Sequence, residues 1–204
     1  MELQARVALA GCAQHPEDDA SVNIEIASLT EENLMDAPTW DSHPFSCKYC
    51  IYWEFPDECV DPATEQRHEM FAKKLSWLQA VTKGFGTCGK LVYVDGKCIG
   101  YVQYAPPDYL PGSAGYASGP PSDDAVLISC LFIPQAKFRR LGIGSQLLCS
   151  IIDEVKKEKK KKAIETFARK GRPENPSGPV EFYLGNGFRI HRDDKEFPLM
   201  RLDL

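Results

Sequence analysis

Residues 130–148 read CLFIPQAKFRRLGIGSQLL, and the reading of this stretch decides the fold. It begins inside a nearly unbroken apolar run, Ala125 to Ile133, which predicts a central strand buried on both faces. A basic link follows from Pro134 to Arg140. Beyond it Ile143, Leu147, Leu148, Ile151, Ile152 and Val155 recur at helical spacing, which predicts a helix to about Lys160. The order is therefore strand, basic loop, glycine-opened helix. Main-chain N–H groups at such a helix start can hold phosphate oxygens, and the helix dipole favours negative charge there. Gly142 and Gly144 lack a Cβ, so the backbone from Leu141 through Ile143 to Ser145 can approach a ligand closely. Arg139 and Arg140 are placed to add charge-assisted bonds to a diphosphate. Glycines of this kind also occur in plain structural turns; the flanking strand and the arginines favour phosphate binding here.

Working upstream, Leu91–Val94 and Cys98–Tyr104 flank Asp95-Gly96-Lys97, a tight hairpin signal. Met70, Phe71, Leu75, Leu78 and Val81 share one face of a helix predicted from Pro62 to about Lys83. Val22–Ala27 alternates as a first strand, and Thr30 caps a short helix towards Met35. Residues 1–22 carry no clear period and are expected to be an extension, leaving residues 23–204 as a single domain. Ala105–Asp124 is rich in Pro and Gly and reads as a loop. Downstream, Ala163–Ala168 is a strand, Val180–Leu184 a short helix, and Phe188–Ile190 with Phe197–Leu204 the last strands. This order predicts an α/β (α+β) protein, a mixed sheet with helices on both faces. A dinucleotide-binding fold is disfavoured, because the full Gly-x-Gly-x-x-Gly fingerprint is missing.

The turn built by Arg139, Gly142 and Gly144 resembles the (Arg/Gln)-x-x-Gly-x-(Gly/Ala) signature of the GNAT superfamily of N-acetyltransferases. Tyr183 to Gly187-Phe188 is similar to that family's Tyr-x-x-x-Gly-Phe segment. The resemblance runs from about Val22 to the C-terminus and is strongest from Val126 to Phe188. It implies a sheet splayed between its fourth and fifth strands, where the pantetheine arm of acetyl-CoA enters. It implies that Leu131, Phe132 and Ile133 pair with that arm through their backbone. The signature turn would hold the pyrophosphate, with acetyl-CoA as co-substrate and an amine as acceptor. The link from Pro134 to Arg139 is longer than the family's commonest form, which leaves the register of the strand contacts open.

Tyr183 is the candidate general acid for the departing CoA thiolate. Glu54, Asp124 and Glu165 are candidate bases, since an amine must lose a proton before it attacks. By the same resemblance the aromatic run Tyr49–Glu54 is expected to line the acceptor pocket, where its rings would suit an apolar or cationic acceptor. Cys47-x-x-Cys50, with Cys59, His43 and His68 in the neighbourhood, admits zinc or redox chemistry, but the plain reading is thiols packed on a half-buried loop and no metal. The lysines from 156 to 162 read as a solvated helix end.

The net charge of −5 disfavours a nucleic-acid partner and mildly favours a cationic substrate. No apolar run reaches the length of a membrane span, and the scattered cysteines suit a reducing, cytoplasmic setting. The leading expectation is an acetyl-CoA-dependent N-acetyltransferase, compatible with a homodimer. The alternatives are a non-catalytic CoA-binding module and a metal or redox protein built on the cysteine loop.

Overall fold

The computed structural model describes residues 23–40, 46–58, 66–171 and 175–204. Seven strands build one sheet: β1 (Ile24–Ser28), β2 (Gly89–Val94), β3 (Lys97–Ala105), β4 (Ala125–Phe132), β5 (Ala163–Phe167), β6 (Arg189–Arg192) and β7 (Leu199–Asp203). Their spatial order is β1-β2-β3-β4-β5-β7-β6. Every neighbouring pair is antiparallel except β4 and β5, which run parallel. The helices are α1 (Ser46–Tyr49), α2 (Arg67–Gly84), α3 (Ile143–Glu158) and α4 (Val180–Gly185). The expected extension at residues 1–22 lies outside the described residues.

The local chemistry explains the main elements. The β2–β3 turn places Asp95 and Gly96 at positive φ, the twist-matched geometry for a tight hairpin. β4 is buried at every position, as its continuous apolar run requires. α3 buries Ile143, Leu147, Leu148, Ile151 and Val155 on one stripe and ends at Lys159, whose backbone is left-handed. The segment after β1 departs from expectation. Asn33 Oδ1 accepts from the Thr30 N–H at 2.8 Å, so the chain closes a turn and forms only a 3-10 turn at Leu34–Asp36. The Pro- and Gly-rich link before β4 also holds two 3-10 turns, Pro107–Tyr109 and Pro111–Gly115.

α3 and α4 cover one face of the sheet; α2 and the 106–124 link cover the other. Glu154 of α3 reaches Lys90 and Tyr104 on the first face. On the second, Lys74 of α2 reaches into a buried polar network. Its ammonium donates to Glu54 Oε1 and to Gln103 Oε1, the latter at 2.9 Å. Gln103 Nε2 donates to Glu54 Oε1 at 2.6 Å and to Ser129 Oγ at 3.0 Å, and the Tyr101 hydroxyl donates to Gln103 Oε1 at 2.6 Å. Burial alone would depress the Lys74 ammonium, but the Glu54 carboxylate beside it carries it above its ordinary value. The network ties α2 and the aromatic loop to β3 and β4.

The parallel pairing of β4 with β5 begins at Ala125↔Ala163 and ends at Ile128↔Thr166. β4 continues through Ser129 to Phe132 without β5 beside it. The sheet therefore opens at Thr166, as expected for the fourth and fifth strands. Among the described residues, no helix is long and apolar enough to cross a membrane.

The buried ion pair gives a clean stability test. Lys74→Met leaves the Glu54 carboxylate buried without its counter-charge, and urea unfolding is expected to show a loss of roughly 3–5 kcal/mol. Adding Glu54→Gln to that variant should restore most of the loss, because the stranded charge is then gone.

Candidate functional site

The site begins at the N-terminal start of α3. Gly142 caps the helix with a left-handed backbone, φ +80°, and the first helical bond runs from the Gln146 N–H to the Gly142 carbonyl at 3.0 Å. The N–H groups of Ile143, Gly144 and Ser145 precede that bond and have no partner within the helix. A Cβ on Gly142 would meet nothing within 4 Å, so its glycine is required by conformation and leaves open space above the helix start. At Gly144 a Cβ would sit 3.4 Å from the Phe182 ring of α4.

That open space belongs to a cavity of about 620 Å3. Its walls are the outer end of β4 with Ile133, the link through Ala136, Phe138, Arg139 and Arg140, the α3 start, and Asn175, Gly178, Pro179 and Phe182. The cavity thus runs from the helix start to the unpaired half of β4. The helix dipole and the free N–H groups favour an anion at one end.

The two arginines expected to share this work are separated by the structure. Arg139 Nε donates to the Ile133 carbonyl at 2.8 Å and Nη2 to the Pro134 carbonyl at 2.7 Å, with the guanidinium 5.4 Å from the Phe132 ring. Arg139 therefore staples the long basic link back onto β4. Arg140 is exposed, holds a left-handed backbone at φ +61° and lines the cavity. Its side chain is the one available to an incoming anion.

The outer end of β4 turns its backbone groups alternately. The Leu131 N–H donates to the Pro176 carbonyl at 2.7 Å, so Leu131 turns its backbone towards the opening. The Phe132 carbonyl instead comes against Gly100 of β3, 3.5 Å from where a Cβ there would stand. By alternation Leu131 and Ile133 face the opening through their backbone, while Phe132 contributes its ring. The segment around Pro176 bridges the mouth of the opening: the Arg169 N–H donates to the Gly178 carbonyl at 2.8 Å, and Arg169 pairs with Pro179.

Tyr183 sits behind this segment, fully buried. A Cβ on Gly178 would lie 3.3 Å from its ring and 3.6 Å from its hydroxyl. Its hydroxyl has no hydrogen-bond partner among the described residues. Burial pushes the phenol well above its ordinary value, so it is protonated throughout the neutral range.

The carboxylates proposed as bases are placed differently from expectation. Glu165 is fully buried and committed: Oε2 accepts from the Ser122 N–H at 2.7 Å, and Oε1 accepts from the Ser122 hydroxyl and from Arg201, each at 2.8 Å. Asp124 is paired with the same Arg201, whose hydrogen bonds hold its carboxyl below the usual range. These two carboxylates anchor the 120–124 link to β7 through Arg201 and Ser122. Glu54 is paired with Lys74 in the buried network, yet its Oε2 has no partner among the described residues. Neither Glu54 nor Glu165 lines the cavity.

A second cavity, about 560 Å3, lies on the opposite face of the sheet. Tyr52, Tyr116, Phe197, Asp194 and Glu196 are among its walls. Tyr116 stacks on Phe167, the last residue of β5, with ring centroids 4.1 Å apart, and on Trp53 at 5.3 Å. The aromatic wall therefore leads from this cavity to the opening in the sheet. Tyr52 belongs to the aromatic run singled out in the sequence; Tyr116 and the 194–197 turn had no sequence signal, because only the fold brings them there.

Cys47 is buried, and burial pushes its thiol to about 11. His43 and Cys59 lie outside the described residues. Among the described residues no group of three His, Cys, Asp or Glu side chains could hold a metal ion.

Comparison with known proteins places the arrangement. The model of the acetyltransferase (GNAT) family matches residues 47–183. No curated protein matches the chain. The solved structure of the PaiA N-acetyltransferase from Thermoplasma acidophilum in complex with coenzyme A aligns with a TM-score of 0.54 at 15% identity, covering 89% of this chain and 99% of that one. The loading GNATL domain of CurA from Lyngbya majuscula aligns with a TM-score of 0.54 at 12% identity, over 89% and 98% of the two chains. An acetyltransferase from Thermus thermophilus gives 0.52 at 14% identity, over 89% and 97%. At these identities the likeness is one of fold.

The two arginines and the glycine can be told apart experimentally. Arg140→Ala is expected to weaken CoA binding several-fold, most at low salt, with the urea midpoint unchanged. Arg139→Ala should lower the urea midpoint, because two carbonyls lose their donor. Gly142→Val forces a β-branched residue into a left-handed backbone and should abolish CoA binding in calorimetry while the sheet stays folded by circular dichroism.

Proposed function

Because the chain belongs to the acetyltransferase (GNAT) family, we propose that it transfers an acetyl group from acetyl-CoA to a primary amine by direct attack on the thioester. The observation that carries this reading is the cavity joining the α3 start to the unpaired half of β4. One end suits phosphates; the other offers a strand edge with which the two amides of a pantetheine arm can pair.

In this reading the diphosphate lies on the N–H groups of Ile143, Gly144 and Ser145, with Leu141 and Gly142 shaping the turn and Arg140 adding charge. The pantetheine arm pairs with the Leu131 backbone and with the Ile133 N–H, the Ile133 carbonyl being held by Arg139. To do so it displaces the Pro176 carbonyl, which holds the Leu131 N–H in the free protein. The same displacement lifts Gly178 away from Tyr183 and lets the phenol meet the thioester sulfur. The acceptor enters from the other face, over Tyr52, Tyr116 and Phe197, where aromatic faces suit an amine.

The step balances without another reactant. The neutral amine nitrogen attacks the thioester carbonyl carbon, and the carbon–sulfur bond breaks as the amide forms. Tyr183 gives its proton to the leaving sulfur, and the amine's surplus proton passes to solvent, which restores the phenol. Glu54 keeps one oxygen, Oε2, without a hydrogen-bond partner among the described residues.

Release of free CoA over a panel of primary amines tests the reading; tight CoA binding with no turnover of any amine would sink it in favour of a binding module. Tyr183→Phe is expected to lower kcat by about 10²-fold while CoA affinity stays within a factor of two or so. An equal loss of both would assign Tyr183 to packing.

A further inference from the structure

Among the described residues, two buried hydroxyl oxygens lack hydrogen-bond partners: Tyr183 OH on α4 and Thr166 Oγ1 on β5. Both residues are fully buried. An orphaned buried hydroxyl costs free energy of the order of a lost hydrogen bond, so two side by side call for an explanation. Their position supplies it. Thr166 is the last residue of β5 paired with β4, and the sheet opens immediately beyond it. The Thr166 hydroxyl is near enough to the Tyr183 phenol to pull it downward against the effect of burial. Neither completes a bond with the other in the free protein.

We infer that Thr166 is a positioning residue for the Tyr183 acid, its hydroxyl donating to the Tyr183 oxygen as that oxygen loses its proton. The inference rests on the acid role of Tyr183 stated above. A buried phenolate with no donor would be strongly disfavoured, and a proton would be given up slowly. A threonine hydroxyl rotates freely, so it can donate to the oxygen when charge appears there and release it afterwards. The strand fixes the Thr166 backbone at the point where the sheet parts, which aims the hydroxyl without closing the space needed by the sulfur. A hydrogen bond to a charged oxygen is worth more than one to a neutral phenol, so its gain falls on the transition state.

Thr166→Val keeps the shape and removes the donor. It is expected to lower kcat about tenfold while leaving the KM for acetyl-CoA and the CoA affinity unchanged. Thr166→Ser should restore most of the rate, and in the Tyr183→Phe background Thr166→Val should cost nothing further. An undiminished kcat in Thr166→Val, or the same tenfold loss in the Tyr183→Phe background, overturns the inference while the acid role of Tyr183 stands. If Tyr183→Phe itself turns over at the parent rate, the acid role falls and the inference falls with it.

Discussion

The parallel pairing of β4 with β5, and the place where it stops, is the constraint on which the rest of this structure depends. Up to Ile128↔Thr166 the two strands satisfy each other's backbone. Beyond that point β4 keeps an edge of strong donors and acceptors inside the protein, where such groups must find partners. In the free protein the Pro176 carbonyl meets the Leu131 N–H. A ligand with amide groups of its own can make the same bond. The opening therefore creates a site whose backbone demand is met provisionally by the chain itself.

Both faces of the sheet are organised around this opening. On one, the start of α3 and the ring of Phe182 frame the cavity, and Arg139 fixes the long link by binding the carbonyls of Ile133 and Pro134. On the other, the Lys74–Glu54–Gln103 network holds the aromatic loop against β3, so that Trp53 can stack on Tyr116. Burying an ion pair is an expensive way to fasten a loop, since its desolvation offsets much of its attraction. Here it brings charge and hydrogen bonds to Ser129 on β4, next to where the sheet parts.

The carboxylates show how composition misleads when position is unknown. Glu165 lies on the strand expected at the opening, and from sequence alone it could point into the site or away from it. Strand alternation turns it instead towards Arg201 and Ser122, which consume both oxygens. Arg139 is a similar case. It occupies the signature position of the turn, yet the added length of the link brings it back onto two carbonyls and leaves Arg140 to face the cavity.

The sequence by itself determined the strand–loop–helix unit at residues 125–158, the hairpin, the mixed sheet and the family. These are set by local periodicity and by glycines that only certain turns require. It also carried Tyr183 and the aromatic loop as residues of interest. The tertiary structure alone decided which side chains are free. It paired Glu165 and Asp124 with Arg201, placed Pro176 on Leu131, and brought Thr166 beside Tyr183. The physical reason is that a side chain's freedom depends on partners distant in sequence: Thr166 and Tyr183 come together only because α4 folds back over β5, and nothing in the intervening residues encodes that contact locally.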